Sequence, residues 1–424
     1  MGVLQKALEE SFRDLPRAVV RKVVEEKVAE HGAVDADIID CVVAAILDRE
    51  DDSDEVEIDL PFDLEFTEDD IAKMERSVEG LMEGIPDLVE MMGKDFGRGL
   101  ADDCRERWSS HSEVIATERE AMRAKIAANW GDAFSDLRML IELCAGYGDE
   151  FNRTHLKARR KRDQVRNHVL SRLHIRACRV AEEIALLLEN GYAEGAEARW
   201  RTLLEVSVTM HLIALGGDTL AQRYLDYEVI DARKMVDDHD RALGAGSKAE
   251  IRISAADRKE LDADHARAIR KYGKAFQGMY GWASGQVGIC DQPQFHHLQE
   301  VAGNLSMKLQ YRLACFGVHA SPRKLVQPMH QWDPTIHVPG LFSAGFENAG
   351  TNTAYTLVQA TLALFGKEWD LDELVELRVL SFVRDDVAMK MGATTQRIER
   401  EEQLAIDRAL RRPQRRAPTS RFRR

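Results

Sequence analysis

The fold is decided by residues 180–191, which read Val180-Ala181-Glu182-Glu183-Ile184-Ala185-Leu186-Leu187-Leu188-Glu189-Asn190-Gly191. Apolar residues spaced by three and four form one face of an α-helix here, and Asn190-Gly191 is a typical helix end. A second apolar stripe follows at once and ends at Gly216-Gly217; it contains Trp200, Leu203, Leu204, Ser207, His211 and Ala214. The short connection between the two stripes predicts an antiparallel helical hairpin.

The same spacing recurs along nearly the whole chain, whereas alternating strand patterns are scarce. We therefore predict an all-α fold, a multi-helix bundle core with an N-terminal helical appendage. The 424 residues exceed the ~100–200 that are usual for one domain. The predicted parts are an N-terminal helical region over 1–115 with an acidic loop at 48–66, a helical core domain over 116–385, and a C-terminal helix with a disordered Arg-rich tail over 386–424.

Two segments carry specific local predictions. Thr67 followed by three acids predicts a helix start, with a helix to about residue 92 that kinks or breaks at Pro86. Further helices are predicted over 100–150, with a turn at Gly146-Tyr147-Gly148. Continuous helix is predicted over 295–319 and over 371–408, and a long irregular loop at about 321–350, where prolines and glycines interrupt the helical period.

The charge is unevenly distributed. A formal net charge of −14 disfavours a general nucleic-acid or membrane binder. However, the stretch 153–179 holds ten Lys or Arg against one acid, and 411–424 holds seven Arg and no acid. A basic run of this kind is more often a solvated helix face, but it is also compatible with RNA. The candidate RNA contacts in its densest part are Arg159, Arg160, Lys161 and Arg162.

Localisation is predicted to be cytoplasmic, without membrane association. No apolar run approaches the roughly 20 residues that span a bilayer, and the first residues contain charges but no apolar signal core. The six cysteines lie far apart without a CxxC pair, and most of them fall inside apolar helical patterns, as reduced core thiols do.

The sharpest candidate for chemistry is the run Tyr311-Arg312-Leu313-Ala314-Cys315-Phe316-Gly317-Val318-His319-Ala320-Ser321-Pro322. Arg312 and His319 are two helical turns apart, so they lie within roughly 20° of one another on a helix. A permanent cation beside an imidazole is what phosphodiester cleavage by a neighbouring 2′-hydroxyl needs, and no metal is required. The alternative is that His319 only caps the helix end, because this spacing also arises by chance.

Several stretches resemble a bacterial domain family of unknown function, family 5677. The resemblance covers roughly residues 130–370. It is carried by residues 174–184, by 190–196, by the run Arg199-Trp200-Arg201-Thr202-Leu203-Leu204-Glu205, by Tyr280-Gly281-Trp282-Ala283 and by the run that ends at Pro322. No settled activity follows from this family.

The Arg–six residues–His spacing is similar to the signature of the HEPN superfamily, whose members are small helical domains. Many of them are metal-independent endoribonucleases built at a dimer interface, so the resemblance implies a homodimer that acts on RNA, in phage defence or toxin–antitoxin biology. Those enzymes often have a polar residue after the Arg, where this chain has Leu313. The link is an analogy by fold and spacing.

Arg199, Arg201, Glu205 and Tyr311 are the candidate substrate-binding or orienting residues. Arg201 and Glu205 are spaced for a simple surface ion pair, or else they lie beside the Arg312–His319 face and orient the histidine. A metal site is not expected, because HExxH and paired ExxH motifs are absent, and no P-loop or dinucleotide fingerprint predicts another cofactor.

The predicted function is a metal-independent RNA endonuclease with Arg312 and His319 as its catalytic pair. The alternative is a non-catalytic helical binding or regulatory module that engages a protein or RNA partner. A metal-dependent helical enzyme is a third, weaker possibility. An enzyme requires the pair to face solvent, whereas in a module the pair would be buried in structural contacts.

Overall fold

The computed structural model describes residues 17–29, 36–47, 64–156, 163–244, 253–319, 321–325, 345–366 and 370–411. These residues form helices and no strand, so the predicted all-α class is confirmed. Most of the predicted acidic loop, the Arg-rich tail and Arg159–Arg162 lie outside the described residues. The chain divides into two compact units, Met1–Val114 and Ile115–Arg424.

The first unit contains α1 (residues 17–29), α2 (Ala36–Leu47) and the start of α3 (Glu68–Phe151). Thr67 is the predicted cap of α3: its hydroxyl accepts the Asp70 N–H at 3.3 Å, and the Asp70 carboxylate accepts the Thr67 N–H at 2.9 Å. Lys27 lies 2.8 Å from Asp70 and, with Thr67, holds the pKa of that carboxyl well below its usual range. The small core of this unit consists of Val20, Val23, Val24, Val28, Val42, Val43 and Met74.

Helix α3 continues through Pro86, Gly146 and Gly148. The predicted helix end near residue 92 and the predicted turn at Gly146-Tyr147-Gly148 are therefore wrong. Pro and Gly disfavour helix, yet the helix runs on through the exposed Pro86 and Gly146, for which no packing contact among the described residues gives a reason. Gly148 packs against the buried ring of His174, and this close contact requires a glycine.

The core of the second unit is built on α4 (Gln164–Glu189) and α5 (Ala193–Asp226). They form the predicted hairpin, because Asn190 caps α4 and Gly191 turns the chain with φ 83°. Gly217, with φ 63°, interrupts the helical path of α5 where the second stripe is predicted to end. Helix α11 (Phe346–Leu362) packs on both α4 and α5, and α12 (Leu371–Arg411) packs on α11.

The remaining helices are α6 (Glu228–Gly244), α7 (Ala255–Tyr272), α8 (Phe295–Val301), α9 (Lys308–Val318) and α10 (Pro322–Leu325). The helix predicted over 295–319 is broken between α8 and α9, where Gly303 has φ 73°. The loop predicted at 321–350 is helical over 322–325 and 346–350, while 326–344 lie outside the described residues. The helix predicted over 371–408 is present as the continuous helix α12.

One stretch, Ala193–Gly244, is long and apolar enough by composition to cross a membrane. Half of its most apolar window is buried inside the protein, so it is weak evidence for a span. The cysteines only partly follow the expectation of core thiols, since Cys144 is buried but Cys41, Cys104 and Cys290 are exposed.

A buried histidine joins α3, α4 and α11. His174 is 2% exposed, and its Nε2 lies 3.0 Å from the Thr361 hydroxyl oxygen. Because the Thr361 hydroxyl donates to the Leu357 carbonyl at 3.0 Å, Nε2 of His174 donates to Thr361. The ring also lies against Gly148, where an added Cβ would stand 2.4 Å from its Nδ1. Gly148 is therefore required by close packing, not by a turn.

Replacing Gly148 with Ala should destabilise the fold by roughly 1–3 kcal/mol, because the methyl group would overpack the buried His174 ring. Gly146→Ala is the matched control, since the same helix leaves open space at that exposed position. That control should stabilise the protein by roughly 0.5–1 kcal/mol, as Ala does in a helix interior. Urea unfolding of both variants measures the difference, and equal effects would contradict this account.

Stability should also fall in mild acid because of His174. Burial lowers the pKa of this imidazole to about 4, although Asp149 opposes the shift. An unfolded histidine titrates near pH 6.5, so between about pH 6.5 and 4 the unfolded state binds the extra proton. The free energy of unfolding should drop by up to about 3 kcal/mol across that window. His174→Gln should flatten this dependence, and an unchanged slope would exclude His174 as its source.

Candidate functional site

The run Arg199-Trp200-Arg201 of α5 points its three side chains in three directions. Trp200 is 1% exposed, and its indole N–H lies 2.9 Å from the Thr356 hydroxyl and 3.1 Å from the Asn352 carbonyl, both on α11. Because successive helical residues are about 100° apart, Arg199 and Arg201 lie on opposite flanks of the buried indole. Arg199 contacts α4, where it pairs with Glu183, and Arg201 contacts α9.

Arg201, Glu205, Tyr311 and His319 form a cluster between α5 and α9, called here the α5–α9 cluster. Arg201 Nη2 donates to the Tyr311 hydroxyl at 3.1 Å, and that hydroxyl donates to Glu205 Oε1 at 2.7 Å. The guanidinium carbon also lies 4.9 Å from the centre of the Tyr311 ring. The phenol thus links the cation to the carboxylate, whose Oε1 is 3.7 Å from Arg201 Nη2.

His319 sits at the C-terminal end of α9, and its backbone N–H donates to the Cys315 carbonyl at 3.0 Å. Its side chain does more than cap the helix, because Nε2 lies 3.5 Å from Arg201 Nη1, a long contact. A guanidinium can only donate, so the imidazole nitrogen is the acceptor in this contact. His319 is exposed, and histidine is the side chain that most often serves as a general base.

Arg312 lies on the same helix, is exposed, and makes no hydrogen bond or ion pair with the residues that the structure describes. Leu313, which follows it, is 42% exposed. Arg312 and His319 therefore face solvent, the condition that an enzyme requires of the pair. Their side chains do not serve as buried structural contacts.

The phenols of the site remain protonated donors at neutral pH. Burial raises the pKa of Tyr311 well above its usual range; Arg201 opposes this shift and Glu205 adds to it. Burial likewise raises the pKa of Tyr280 to about 12. Burial also raises the pKa of the Cys315 thiol, although the cations of Arg201 and Arg312 oppose that effect. Neither the phenols nor the thiol is poised to accept a proton, which leaves the His319 imidazole and the Glu205 carboxylate as the candidate bases. Glu205 is engaged by Tyr311 and Arg201, whereas His319 is open to solvent.

The candidate residues divide into groups. Arg201, Glu205 and Tyr311 lie together with His319, and Arg201 is only 16% exposed, less than an ordinary surface pair. Arg199 belongs to a separate place against α4. Arg159–Arg162 lie outside the described residues. Cys315 is not among the site residues predicted from the sequence, although Tyr311, Cys315 and His319 recur every four residues and so share one helix face.

Within the described residues, no group of three or more His, Cys, Asp or Glu side chains is close enough to hold a metal ion. The adjacent His296 and His297 rings lie with centroids 3.9 Å apart and are tilted by 42° relative to each other. His297 Nδ1 accepts the backbone N–H of Gln294 at 3.0 Å. This histidine therefore caps the start of α8.

Residues 167–334 match the model of a family of unknown function (DUF5677). The matched range is narrower than the resemblance over 130–370 that the sequence predicts. It includes every residue of the α5–α9 cluster. No curated protein and no solved structure matches the chain.

A double-mutant cycle should detect the link between Arg201 and Tyr311. Arg201→Gln and Tyr311→Phe should show a coupling energy of about 1 kcal/mol in urea unfolding, since each single change already removes the shared hydrogen bond. Tyr355→Phe is the control partner, because its hydroxyl bonds Asp385 and shares no partner with Arg201. If the coupling energy between Arg201 and Tyr311 is no larger than that between Arg201 and Tyr355, the cluster does not act as a unit.

Proposed function

We propose that the protein is a metal-independent endoribonuclease in which Arg312 and His319 are catalytic residues. The observation that carries this proposal is the contact between His319 and Arg201, which places a second cation beside an exposed imidazole. Arg312, two turns back on α9, is exposed and has no ion pair within the described part of the chain. The site therefore combines one base with two guanidinium groups.

The proposed reaction uses the nucleophile of the RNA itself. The ribose 2′-oxygen attacks the adjacent phosphorus while its proton passes to Nε2 of His319, which gives up its long contact with Arg201 when the 2′-hydroxyl binds. The new O2′–P bond forms as the P–O5′ bond breaks, and the departing 5′-oxygen takes a proton from water. The hydroxide so formed takes the proton from His319, which restores the base. The products are a 2′,3′-cyclic phosphate and a 5′-hydroxyl. The step consumes no oxidant and needs no metal.

The arginines would stabilise the charge that develops on the phosphate oxygens, since a guanidinium remains charged and donates along fixed directions. Arg312 is free to meet a phosphate. Arg201 is held in place by the Tyr311 hydroxyl and by Glu205, so it is positioned before the substrate binds. Pre-positioned charge is effective because it needs no reorganisation during the reaction.

The proposal includes a cytoplasmic homodimer, in keeping with the similarity to HEPN ribonucleases, and a role in phage defence or toxin–antitoxin biology. In a symmetric dimer the same patch of both subunits meets, so two copies of α9 could line one cleft. Activity that tracks the monomer–dimer equilibrium in gel filtration would support this part.

Single-stranded RNA should be cut by the wild-type protein in the presence of EDTA, and an all-deoxy strand should remain intact. His319→Ala should slow cleavage by roughly 10²–10⁴-fold, the usual size of a proton-transfer contribution. Arg312→Ala should slow it by roughly 10²–10³-fold, as the loss of one donor to the developing charge does. Mass spectrometry should find 2′,3′-cyclic phosphate at the new ends. Circular dichroism should show that both variants keep the wild-type helix content.

The matched controls are His168→Ala and Arg378→Ala, since both residues are exposed and lie outside the α5–α9 cluster. They should cleave at the wild-type rate. Cleavage that survives His319→Ala, or that EDTA abolishes, would contradict the proposal. If the wild-type protein does not cleave RNA under any condition tested, the non-catalytic binding module becomes the better account.

A further inference from the structure

A second cationic surface lies on α4, away from the α5–α9 cluster. Arg172, Arg176 and Arg179 recur at spacings of four and three, so they share one helix face, and all three are exposed. Arg199 of α5 joins them. The four arginines form the arginine surface, which lines a concave site of about 300 Å³ together with Ile175, Val180 and Glu183.

Three of the four charges of the arginine surface, those of Arg172, Arg176 and Arg179, have no acidic partner among the described residues. Glu183 is the only acid in its lining and is paired with Arg199. Glu182, the other acid within one turn of Arg179, is paired with Arg138 of α3. Arg172, Arg176 and Arg179 therefore have no ion pair or hydrogen bond with any residue in the described ranges.

Many exposed arginines in the described residues are paired with an acid one turn away, as in Arg107–Asp103, Arg241–Asp238 and Arg397–Glu401. The three arginines of α4 are instead unpaired and adjacent on one helix face. Three neighbouring like charges repel each other and destabilise a helix slightly. Uncompensated guanidinium groups around a concavity, in a chain of net charge −14, point to an anionic ligand.

The geometry of α5 connects this surface to the α5–α9 cluster. Arg199 and Arg201 are about 200° apart around the helix, with the buried Trp200 between them on the core side. On the outer side the intervening positions are Ala198 and Thr202, which are partly exposed and small. A ligand can therefore pass from α4 to α9 over a low ridge, about one helix diameter, or ~10 Å, wide.

We propose that the arginine surface binds the phosphate groups of single-stranded RNA and leads the strand across α5 to His319. This inference rests on the proposed ribonuclease function. Guanidinium groups bind phosphate oxygens in pairs of parallel hydrogen bonds. Ile175, 50% exposed among the arginines, offers an apolar contact for an unstacked base.

The test is equilibrium binding of a fluorescent 2′-O-methyl RNA strand, which cannot be cleaved because its 2′-oxygen is blocked. The triple variant Arg172→Gln/Arg176→Gln/Arg179→Gln should bind at least about tenfold more weakly at ~0.1 M salt. Its slope of log affinity against log salt should be smaller by about 2, since each phosphate contact on a single strand contributes about 0.7. The triple Lys variant should retain most of that slope.

The matched control is Lys259→Gln/Arg270→Gln/Arg378→Gln, which removes the same charge from α7 and α12. These three cations are exposed and have no ion pair among the described residues. Equal binding by the Arg triple and by this control would overturn the proposal. Binding of the Arg surface to anionic vesicles but not to RNA would overturn it as well.

The assay also separates this inference from the proposed function. If the wild-type protein binds the strand through the arginine surface yet never cleaves ordinary RNA, the surface stands and the catalytic proposal fails. If the Arg triple binds normally but His319→Ala abolishes cleavage, the catalytic proposal stands and the RNA reaches His319 by another route.

Discussion

The hydrogen bond from the Trp200 indole to Thr356 sets the rotation of α5, and the rest of the site depends on that rotation. The indole is buried against α11 and also meets the Asn352 carbonyl, so α5 cannot turn without leaving polar groups unpaired. Once Trp200 faces the core, the helical repeat places its two flanking arginines on opposite sides. A rotation of one residue would carry Arg201 away from α9.

Placing Arg201 beside α9 has a cost that the cluster only partly offsets. Its side chain is 16% exposed, and its Nε is buried without a hydrogen-bond partner in the described structure. A buried donor left unpaired typically costs about 1–3 kcal/mol. Tyr311 and Glu205 satisfy the outer nitrogens through a ring contact, a hydrogen bond and an ion pair. Buried polar groups without a hydrogen-bond partner are expected at positions that serve function rather than stability.

Local signals predicted those parts of the fold that local interactions determine. The cap at Thr67, the turn at Asn190-Gly191 and the interruption at Gly217 were all predictable, because each depends on neighbours in the chain. The turn predicted at Gly146-Tyr147-Gly148 is wrong, because the sequence does not distinguish a glycine required by close packing from one required by a turn. At the site, helical spacing predicted that Arg312 and His319 share a face. The spacing does not determine whether Arg199 or Arg201 contacts His319, because that depends on which side of α5 packs against α9.

The pairing of arginines separates their roles. Both arginines of the Arg199-Trp200-Arg201 run are engaged by acids of the protein, Glu183 and Glu205. The unpaired guanidinium groups stand on the helices to either side, on α4 and at Arg312 of α9. A paired arginine already has its counterion and is suited to hold geometry, whereas an unpaired one can exchange water for phosphate without first breaking a salt bridge. Arg199 and Arg201 therefore present charge at fixed positions on α5, whereas the unpaired arginines of α4 and α9 are free to make the first contacts with the phosphates of the ligand.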